Sequence, residues 1–200
     1  MPKPITLIRR FNRGKAKRIL HELHDLLNDT GFFLIMGTAL GAFRDKTFTP
    51  TECDIDIGYL WERVDLAEVA RRLIEAQYEI TSVIKPFTRT WVLKATKFEI
   101  KTDIIGFIRW KNWRFCCSNL TEYSIVHEAA LLERTQMLRF FDKTYRVPCP
   151  IKTYIEREYG PDWRTPKKDH VSKTRRYKFR RMEGIPDDLL ESQFVARSSG

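Results

Sequence analysis

The first clear pattern of apolar and polar positions is helical and covers residues 14–29. Apolar side chains recur there at intervals of three and four residues, which places them on one face of a helix. They are Ile19, Leu20, Leu23, Leu26 and Leu27. Gly31 follows as a suitable stop, because glycine readily ends helices. The pattern therefore predicts an amphipathic helix.

Two short segments follow, and both have the pattern of strands. The apolar run FFLIMG (32–37) suits a buried strand that Gly37 interrupts, and the next residues, TALGAFRD, form either a turn or a short helix. After a loop with turn-forming residues, the segment CDIDIGYL (53–60) alternates polar and apolar residues as strands do. We expect these two strands to lie in the same sheet.

The rest of the chain mixes both periods. A second helix is predicted over 62–77, and 78–113 is rich in the β-branched and aromatic residues that favour strands. Residues 119–132 are ambiguous between helix and loop. The segment 137–148 is typical of a hairpin with a polar turn, and 151–160 of a helix that opens after a proline and ends at a glycine.

These elements predict an α+β fold, a mixed sheet with helices on one face and a small C-terminal extension. We divide the chain into a core at 1–117, a C-terminal part of the same domain at 118–166 with the hairpin and helix, and a basic tail at 167–200. A chain of 200 residues is long enough for one domain with a substantial core.

Charge adds the expectation of an anionic partner, because the net charge is +10 and both ends of the chain are basic. Nucleic acid, an anionic membrane surface, a phosphorylated substrate or simple solubility would each account for it. No apolar run reaches eighteen residues and no secretory leader is recognisable, so we expect a cytoplasmic protein. Peripheral contact with the inner face of the membrane is an alternative.

Three carboxylates are the main chemical feature. Residues two apart share a strand face, so Glu52, Asp54 and Asp56 point one way, and Cys53 and the intervening isoleucines point to the core. Carboxylates side by side repel one another unless a cation lies between them, and Mg²⁺ or Mn²⁺ prefers such oxygen ligands. The spacing alone is also compatible with an ordinary acidic strand face.

Neighbouring residues favour a phosphate-handling site. Gly37 and Thr38 end the first apolar strand, where backbone N–H groups and a hydroxyl could hold a phosphate. Arg44 lies between the two strands and could pair with a phosphate. Gly58 directly after the carboxylates would allow close approach of backbone or ligand.

A further carboxylate, Asp103, lies in the strand-like run KTDIIGF, where an aspartate is unfavourable without a strong partner. It could complete a metal site with the other acids, or act as the base that takes a proton from an acceptor hydroxyl. A surface aspartate on an edge strand is the alternative. His127 is left open between a role at the site, either supporting another residue or binding the acceptor, and a structural or surface role.

The cysteines show no metal-binding spacing and no expected disulfide. Cys53, Cys116, Cys117 and Cys149 form no C-x-x-C pair. We expect reduced cysteines in or near the core.

Several of these residues together resemble the LicD/fukutin-related family. The motif G-T-x-L-G-x-x-R begins at Gly37 and ends at Arg44, F-x-P spans 48–50, and D-I-D-I-G spans 54–58. A later block, with Val147-Pro148 and then Y-G-P-D-W at 159–163, is similar to the closing pattern of the family. The resemblance covers about residues 15–166.

The resemblance implies a nucleotidyltransferase-like fold and a metal-dependent transfer of phosphocholine or a polyol phosphate. The implied donor is CDP-activated, and the implied acceptor is a hydroxyl of a glycan or lipid-linked glycan. Carried over, Asp54 and Asp56 would bind Mg²⁺, Gly37, Thr38 and Arg44 would shape the donor site, and Asp103 would be the further carboxylate.

One departure leaves the donor open. Where the family often has an aromatic and further acids, this chain has Thr51, Glu52 and Cys53. An alternative function with the same carboxylates is a nucleotidyltransferase that adds a nucleotide to RNA, a small molecule or a protein. A non-enzymatic nucleic-acid-binding module is a third, but no recognisable nucleic-acid-binding signature supports it, and we do not expect nucleic acid as a partner.

Overall fold

The structure is a computed structural model that describes residues 11–84, 92–119 and 123–166, and the predicted basic tail lies outside these ranges. The described residues form an α+β fold, as predicted, with a mixed sheet and flanking helices. The helices are α1 Arg13–Leu27, α2 Met36–Leu40, α3 Leu66–Glu75, α4 Ala129–Glu133 and α5 Ile151–Tyr159. The strands are β1 Phe33–Leu34, β2 Asp54–Leu60, β3 Glu79–Ile84, β4 Val92–Lys97, β5 Ile100–Trp110, β6 Trp113–Asn119, β7 Tyr123–Glu128, β8 Thr135–Phe140 and β9 Lys143–Pro148.

The main sheet has the strand order β1-β2-β5-β4-β3. The two central strands, β2 and β5, run parallel, and the other neighbours are antiparallel. The last residues of β5 also pair with β6, which pairs with β7, so the sheet extends beyond its central strands. Strands β8 and β9 form the predicted hairpin as a separate two-stranded sheet.

The core lies on the apolar face of β2, where Ile55 and Ile57 are fully buried. Helix α1 begins at Asn12, whose side chain accepts a hydrogen bond from the Lys15 N–H and so satisfies one donor of the first turn. The predicted apolar stripe of α1 packs into this core, and α1 also contacts α3 and β5. Burial of such side chains contributes about 1.5–3 kcal/mol each, which holds the helices on this face.

The second helix begins later than predicted. The pattern placed it at 62–77, but Trp61–Arg63 form a 3₁₀ turn and α3 covers only Leu66–Glu75. The reason is local: Asp65 is extended and its side chain accepts a hydrogen bond from the Ala67 N–H, which defines the start of the helix.

The ambiguous segment 119–132 is neither a single helix nor a loop. Its described part contains strand β7 and the short helix α4. The predicted division at residue 117 falls inside β6, so the core and its C-terminal part share that strand. Within the described ranges, no helix combines the length and the apolar character needed to cross a membrane.

Candidate active site

The three acidic side chains predicted to share a face do converge. Glu52, Asp54 and Asp56 each offer a carboxylate oxygen, and these oxygens all lie within 4.8 Å of one another. Asp54 opens β2, and Glu52 comes from the loop just before it. Asp56 is buried, with 7% of its surface exposed, while the other two are partly exposed. The cluster therefore opens to solvent on one side and lies against the sheet on the other.

The Gly37-Thr38 turn lies directly against this cluster. Helix α2 begins right after β1, and Thr38 is fully buried in its first turn. The Thr38 Oγ1 accepts a hydrogen bond of 2.9 Å from the Asp56 N–H, which fixes α2 to β2. At Gly37, a Cβ atom would lie 2.0 Å from Glu52 Oε2, so only glycine leaves room for this carboxylate.

The turn is supported from below by Tyr154 on α5, for which the sequence analysis predicted no role at the site. The Tyr154 hydroxyl accepts a hydrogen bond of 3.0 Å from the Met36 N–H, one of the unsatisfied donors at the start of α2. Met36 has a φ of 47°, a left-handed conformation that is uncommon outside glycine. Tyr154 on α5 therefore helps to hold the entry to α2 in an unusual backbone geometry.

His127, left open by the sequence, is buried behind this tyrosine. Its ring centroid lies 5.0 Å from that of Tyr154, and its Nε2 lies 3.3 Å from the Glu158 carboxylate, which is also buried. The described contacts of His127 are with Tyr154, Phe107 and Glu158, and none of these belongs to the carboxylate cluster. The structural role is the one these contacts favour.

Asp103 lies on β5 in register with Asp56 on β2, so the two side chains share a face of the sheet. Asp103 Oδ2 accepts a hydrogen bond of 2.7 Å from the Lys94 ammonium on β4. The group of mutually close carboxylates described above does not include Asp103. Whether Asp103 binds the metal or acts as a base stays a prediction.

Lys94 is a site residue that sequence reasoning missed. Burial by itself lowers the pKa of Lys94, but the hydrogen bond to Asp103 and the charges of Asp54 and Asp56 outweigh it and raise that pKa above its ordinary value. Lys94 is therefore a fixed positive charge beside the acids. No local pattern could have revealed it, since a lysine in a strand is ordinary until its cross-strand partner is known.

Arg44 has firm partners in this structure. Its guanidinium donates two hydrogen bonds of 2.7 Å to the Asp45 carboxylate and one of 2.9 Å to the Trp163 carbonyl oxygen. These bonds tie the π-helical turn Gly41–Asp45, which follows α2, to the C-terminal segment. The predicted contact of Arg44 with a donor phosphate stays a prediction, and it would use the two N–H groups that remain on the guanidinium.

Two expectations about neighbouring residues need correction. Cys53 was expected to face the core, but it precedes β2 and is exposed. Desolvation by neighbouring atoms, together with the charges of Asp54 and Glu52, raises the pKa of Cys53 to about 11. The space above Gly58 is filled by protein side chains rather than by a ligand, since a Cβ atom there would lie 2.8 Å from Phe33, 2.9 Å from Ile35 and 3.1 Å from Phe107.

The donor atoms of the cluster fit a small divalent cation. Mg²⁺ binds oxygen ligands at about 2.0–2.1 Å, so two ligands on one ion are at most about 4.2 Å apart. The carboxylate oxygens here lie within 4.8 Å of one another and would need only small side-chain rotations. Glu52, Asp54 and Asp56 are the residues that could hold the ion; Glu52 was predicted to share their strand face, but it was not among the ligands named from the resemblance.

The mixed sheet with parallel central strands and flanking helices has a nucleotidyltransferase-like fold, as the comparison with solved structures shows. The chain is similar to the solution structure of the antibiotic-resistance factor ANT(2'')-Ia, with a TM-score of 0.50 and 12% identity over 92% of this chain and 85% of that one. It is also similar to a crystal structure of ANT(2'')-Ia in complex with adenylyl-2''-tobramycin, with a TM-score of 0.48 and 13% identity over 91% of this chain and 87% of that one. No family model and no curated protein matches the chain. The likeness thus establishes the fold.

Proposed function

We propose that this protein is a metal-dependent transferase that moves a phosphorus-containing group from a nucleotide-activated donor to a hydroxyl of a small molecule. The observation that carries the proposal is the contact between the carboxylate cluster and the Gly37-Thr38 turn. The carboxylates that could bind a divalent cation contact the turn through the Glu52 side chain, which lies against Gly37. The N–H groups of that turn are able to bind phosphate oxygens.

Each residue of the site has a distinct task in this proposal. Glu52, Asp54 and Asp56 hold the cation, which when bound would neutralise charge on the donor phosphates. The turn at Gly37 and Thr38 orients those phosphates. The Thr38 Oγ1 accepts a hydrogen bond from the Asp56 N–H, which holds the turn beside β2. Such preorganisation lowers the barrier because the reactants need no further ordering.

Asp103 serves as the base in this proposal. Its Oδ2 is held by Lys94, and Oδ1 is the oxygen that takes the proton from the acceptor hydroxyl. The hydroxyl oxygen then forms a bond to phosphorus as the bond from phosphorus to the leaving phosphate oxygen breaks. The proton ends on Asp103, and the electron pair of the broken bond ends on the leaving group.

Two versions of this step differ in the phosphorus that is attacked. In nucleotide transfer to a small molecule, the acceptor attacks the α-phosphorus of a nucleoside triphosphate and pyrophosphate leaves. The fold comparison favours this version, because ANT(2'')-Ia is an aminoglycoside nucleotidyltransferase.

The second version is the transfer of phosphocholine or a polyol phosphate, in which the β-phosphorus of a CDP-activated donor is attacked and CMP leaves. Support for it comes from the sequence motif running from Gly37 to Gly58, which resembles the LicD/fukutin-related family. A glycan hydroxyl is the acceptor in this version.

A thermal-shift panel tests the proposal and ranks the donors. The panel contains CTP, ATP, UTP, CDP-choline, CDP-glycerol and CDP-ribitol, each with and without Mg²⁺. A ligand at concentration L that binds the folded state stabilises it by RT ln(1 + L/Kd), so at equal concentrations a tighter ligand raises Tm more. Because the metal is proposed to hold the donor phosphates, a donor should stabilise the protein only when the metal is present. Release of pyrophosphate or of CMP with the best donor then separates the two versions.

Charge-matched variants make the panel specific. Asp54→Asn and Asp56→Asn should abolish the metal-dependent shift, whereas Glu75→Gln removes one negative charge from α3 and should leave it intact. If the aspartate variants keep the wild-type shift and turnover, the proposed metal site is wrong. A salt-sensitive gel shift with RNA, in the absence of any metal-dependent turnover, would favour the nucleic-acid-binding alternative.

A further inference from the structure

Two lysines lie on the same sheet face as the carboxylates, and the proposed function gives only one of them a task, as the partner of the base. Asp56 on β2, Asp103 on β5 and Lys94 on β4 are in register and form one row across the sheet. The next row contains Asp54, Lys101 and Thr96. Lys94 and Lys101 are thus diagonal neighbours on adjacent antiparallel strands, about 7–8 Å apart at Cα.

The two ammonium groups differ in their partners. Lys94 is held by Asp103, and its side chain is 40% exposed. Lys101 is exposed, and among the described residues no carboxylate lies within ion-pair distance of its side chain, although Asp54 is its neighbour in register. Lys101 can therefore turn to a ligand on the open face, and Lys94 can donate to the same ligand while it stays bonded to Asp103, because an ammonium group has three donors.

The position of the lysines places them near the acceptor rather than near the nucleotide-activated donor. The Gly37-Thr38 turn follows β1, which lies on one side of β2, whereas β5 and β4 lie on the other side. A donor whose phosphates contact the turn and the carboxylate cluster leaves the surface over β5 and β4 to the acceptor. Thr96 lies in the same row as Lys101, and its hydroxyl can donate or accept a hydrogen bond with a sugar or polyol.

We propose that Lys94 and Lys101 bind an anionic group of the acceptor, a phosphate or a carboxylate, so that the enzyme acts on a negatively charged sugar or polyol. The inference rests on the proposed function, since it takes the donor to occupy the turn. An acceptor with several positive charges would meet both ammonium groups and be disfavoured.

The test uses four sugars that share the glucose ring and differ in net charge: glucosamine, glucose, glucuronate and glucose 6-phosphate. Each is titrated by NMR into the full chain with Mg²⁺ and CTP. Affinity should rise from glucosamine to glucose 6-phosphate, and the preference should fall when salt is raised, because exposed charge pairs are screened. The carboxylate and phosphate arms separate the two sources of negative charge.

Lys101→Met should reduce the affinity for glucose 6-phosphate about threefold to tenfold while leaving that for glucose unchanged. Lys94→Met should reduce the affinity for glucose 6-phosphate more than that for glucose, because Lys94 also holds the base Asp103. The matched control is Lys111→Met, which removes the same charge in the turn beyond the far end of β5. A lysine with only a structural role would change affinity for all four sugars alike. Circular dichroism checks that each variant is folded.

The outcomes are separable. If CTP raises Tm with Mg²⁺ but the four sugars bind equally, or fail to bind, or keep their order in both lysine variants, the inference is wrong and the proposed function stands. If no donor binds, the proposed function fails and the inference fails with it.

Discussion

Replacement of Gly37 by alanine is the sharpest perturbation of this site. A Cβ atom at residue 37 would lie 2.0 Å from Glu52 Oε2, and 2.7 Å from both Cδ and Oε1 of the same side chain. Ordinary contact begins at 3.4 Å, so the carboxylate must move by at least 1.4 Å. The atoms in the way belong to the end of a flexible side chain, which can rotate without disturbing the backbone.

The expected effect of Gly37→Ala is therefore on metal affinity rather than on stability. Displacement of one carboxylate from the cluster should weaken Mn²⁺ binding about 10- to 100-fold, the range found when a group that supports a metal site is lost. Alanine favours helix over glycine by about 1 kcal/mol, and residue 37 lies in α2, so Tm should stay near the wild-type value or rise. Mn²⁺ titrations followed by electron paramagnetic resonance, together with thermal unfolding, measure both quantities.

Gly41→Ala is the matched control, because it makes the same chemical change on the same helical segment. A Cβ atom at residue 41 would lie 2.5 Å from the Thr47 carbonyl oxygen, which is backbone and cannot rotate away. This variant should lose stability, whereas Gly37→Ala should lose metal affinity. A Gly37→Ala protein with both wild-type Mn²⁺ affinity and wild-type Tm would refute the assignment of Glu52 to the metal site.

Three other expectations follow from the same structure. Thr38→Val removes the acceptor of the buried Asp56 N–H and should cost about 1–3 kcal/mol of unfolding free energy by urea titration, with Thr38→Ser close to wild type. Arg114, which is buried, depresses the pKa of Glu62 mainly through hydrogen bonds, so this pair stabilises the fold at neutral pH and less as the pH falls below the ordinary glutamate value. Arg114→Met should be strongly destabilised at pH 7 and should show a shallower loss of stability on acidification, and an unchanged pH profile would contradict the pairing. Desolvation and, after it, the charges of the neighbouring carboxylates raise the pKa of Cys53 to about 11. Mg²⁺ bound to those carboxylates should therefore lower that pKa and speed alkylation at pH 8.5. An unaltered alkylation rate at saturating Mg²⁺ would count against a cation in the cluster.

The elements that the sequence predicted well are those whose pattern is local. Helix α1, the β8–β9 hairpin and strand β2 each have a period, a cap or a turn within their own residues. The convergence of Asp54 and Asp56 is a direct consequence of strand geometry, because residues two apart share a face. Helix α3 was placed too early because the cap at Asp65 outweighed an apolar period that continued across it.

The features that the sequence left undetermined depend on strand register and on tertiary packing rather than on a local pattern. The Tyr154 hydroxyl accepts a hydrogen bond from the Met36 N–H, 118 residues away in the sequence. Cys53 is exposed because β2 begins one residue later than the alternation of polar and apolar residues suggested. Lys94 meets Asp103 only because β4 and β5 pair in one register out of several that their patterns allow.

The amino-acid sequence by itself therefore determined that acidic side chains share a strand face near a glycine-threonine turn, because periodicity is a property of neighbouring residues. Only the tertiary structure decided that Glu52, which precedes the strand, packs against Gly37 and that two lysines lie beside the acids. Sheet order and register set these distances, and both depend on how the whole core packs rather than on any local pattern.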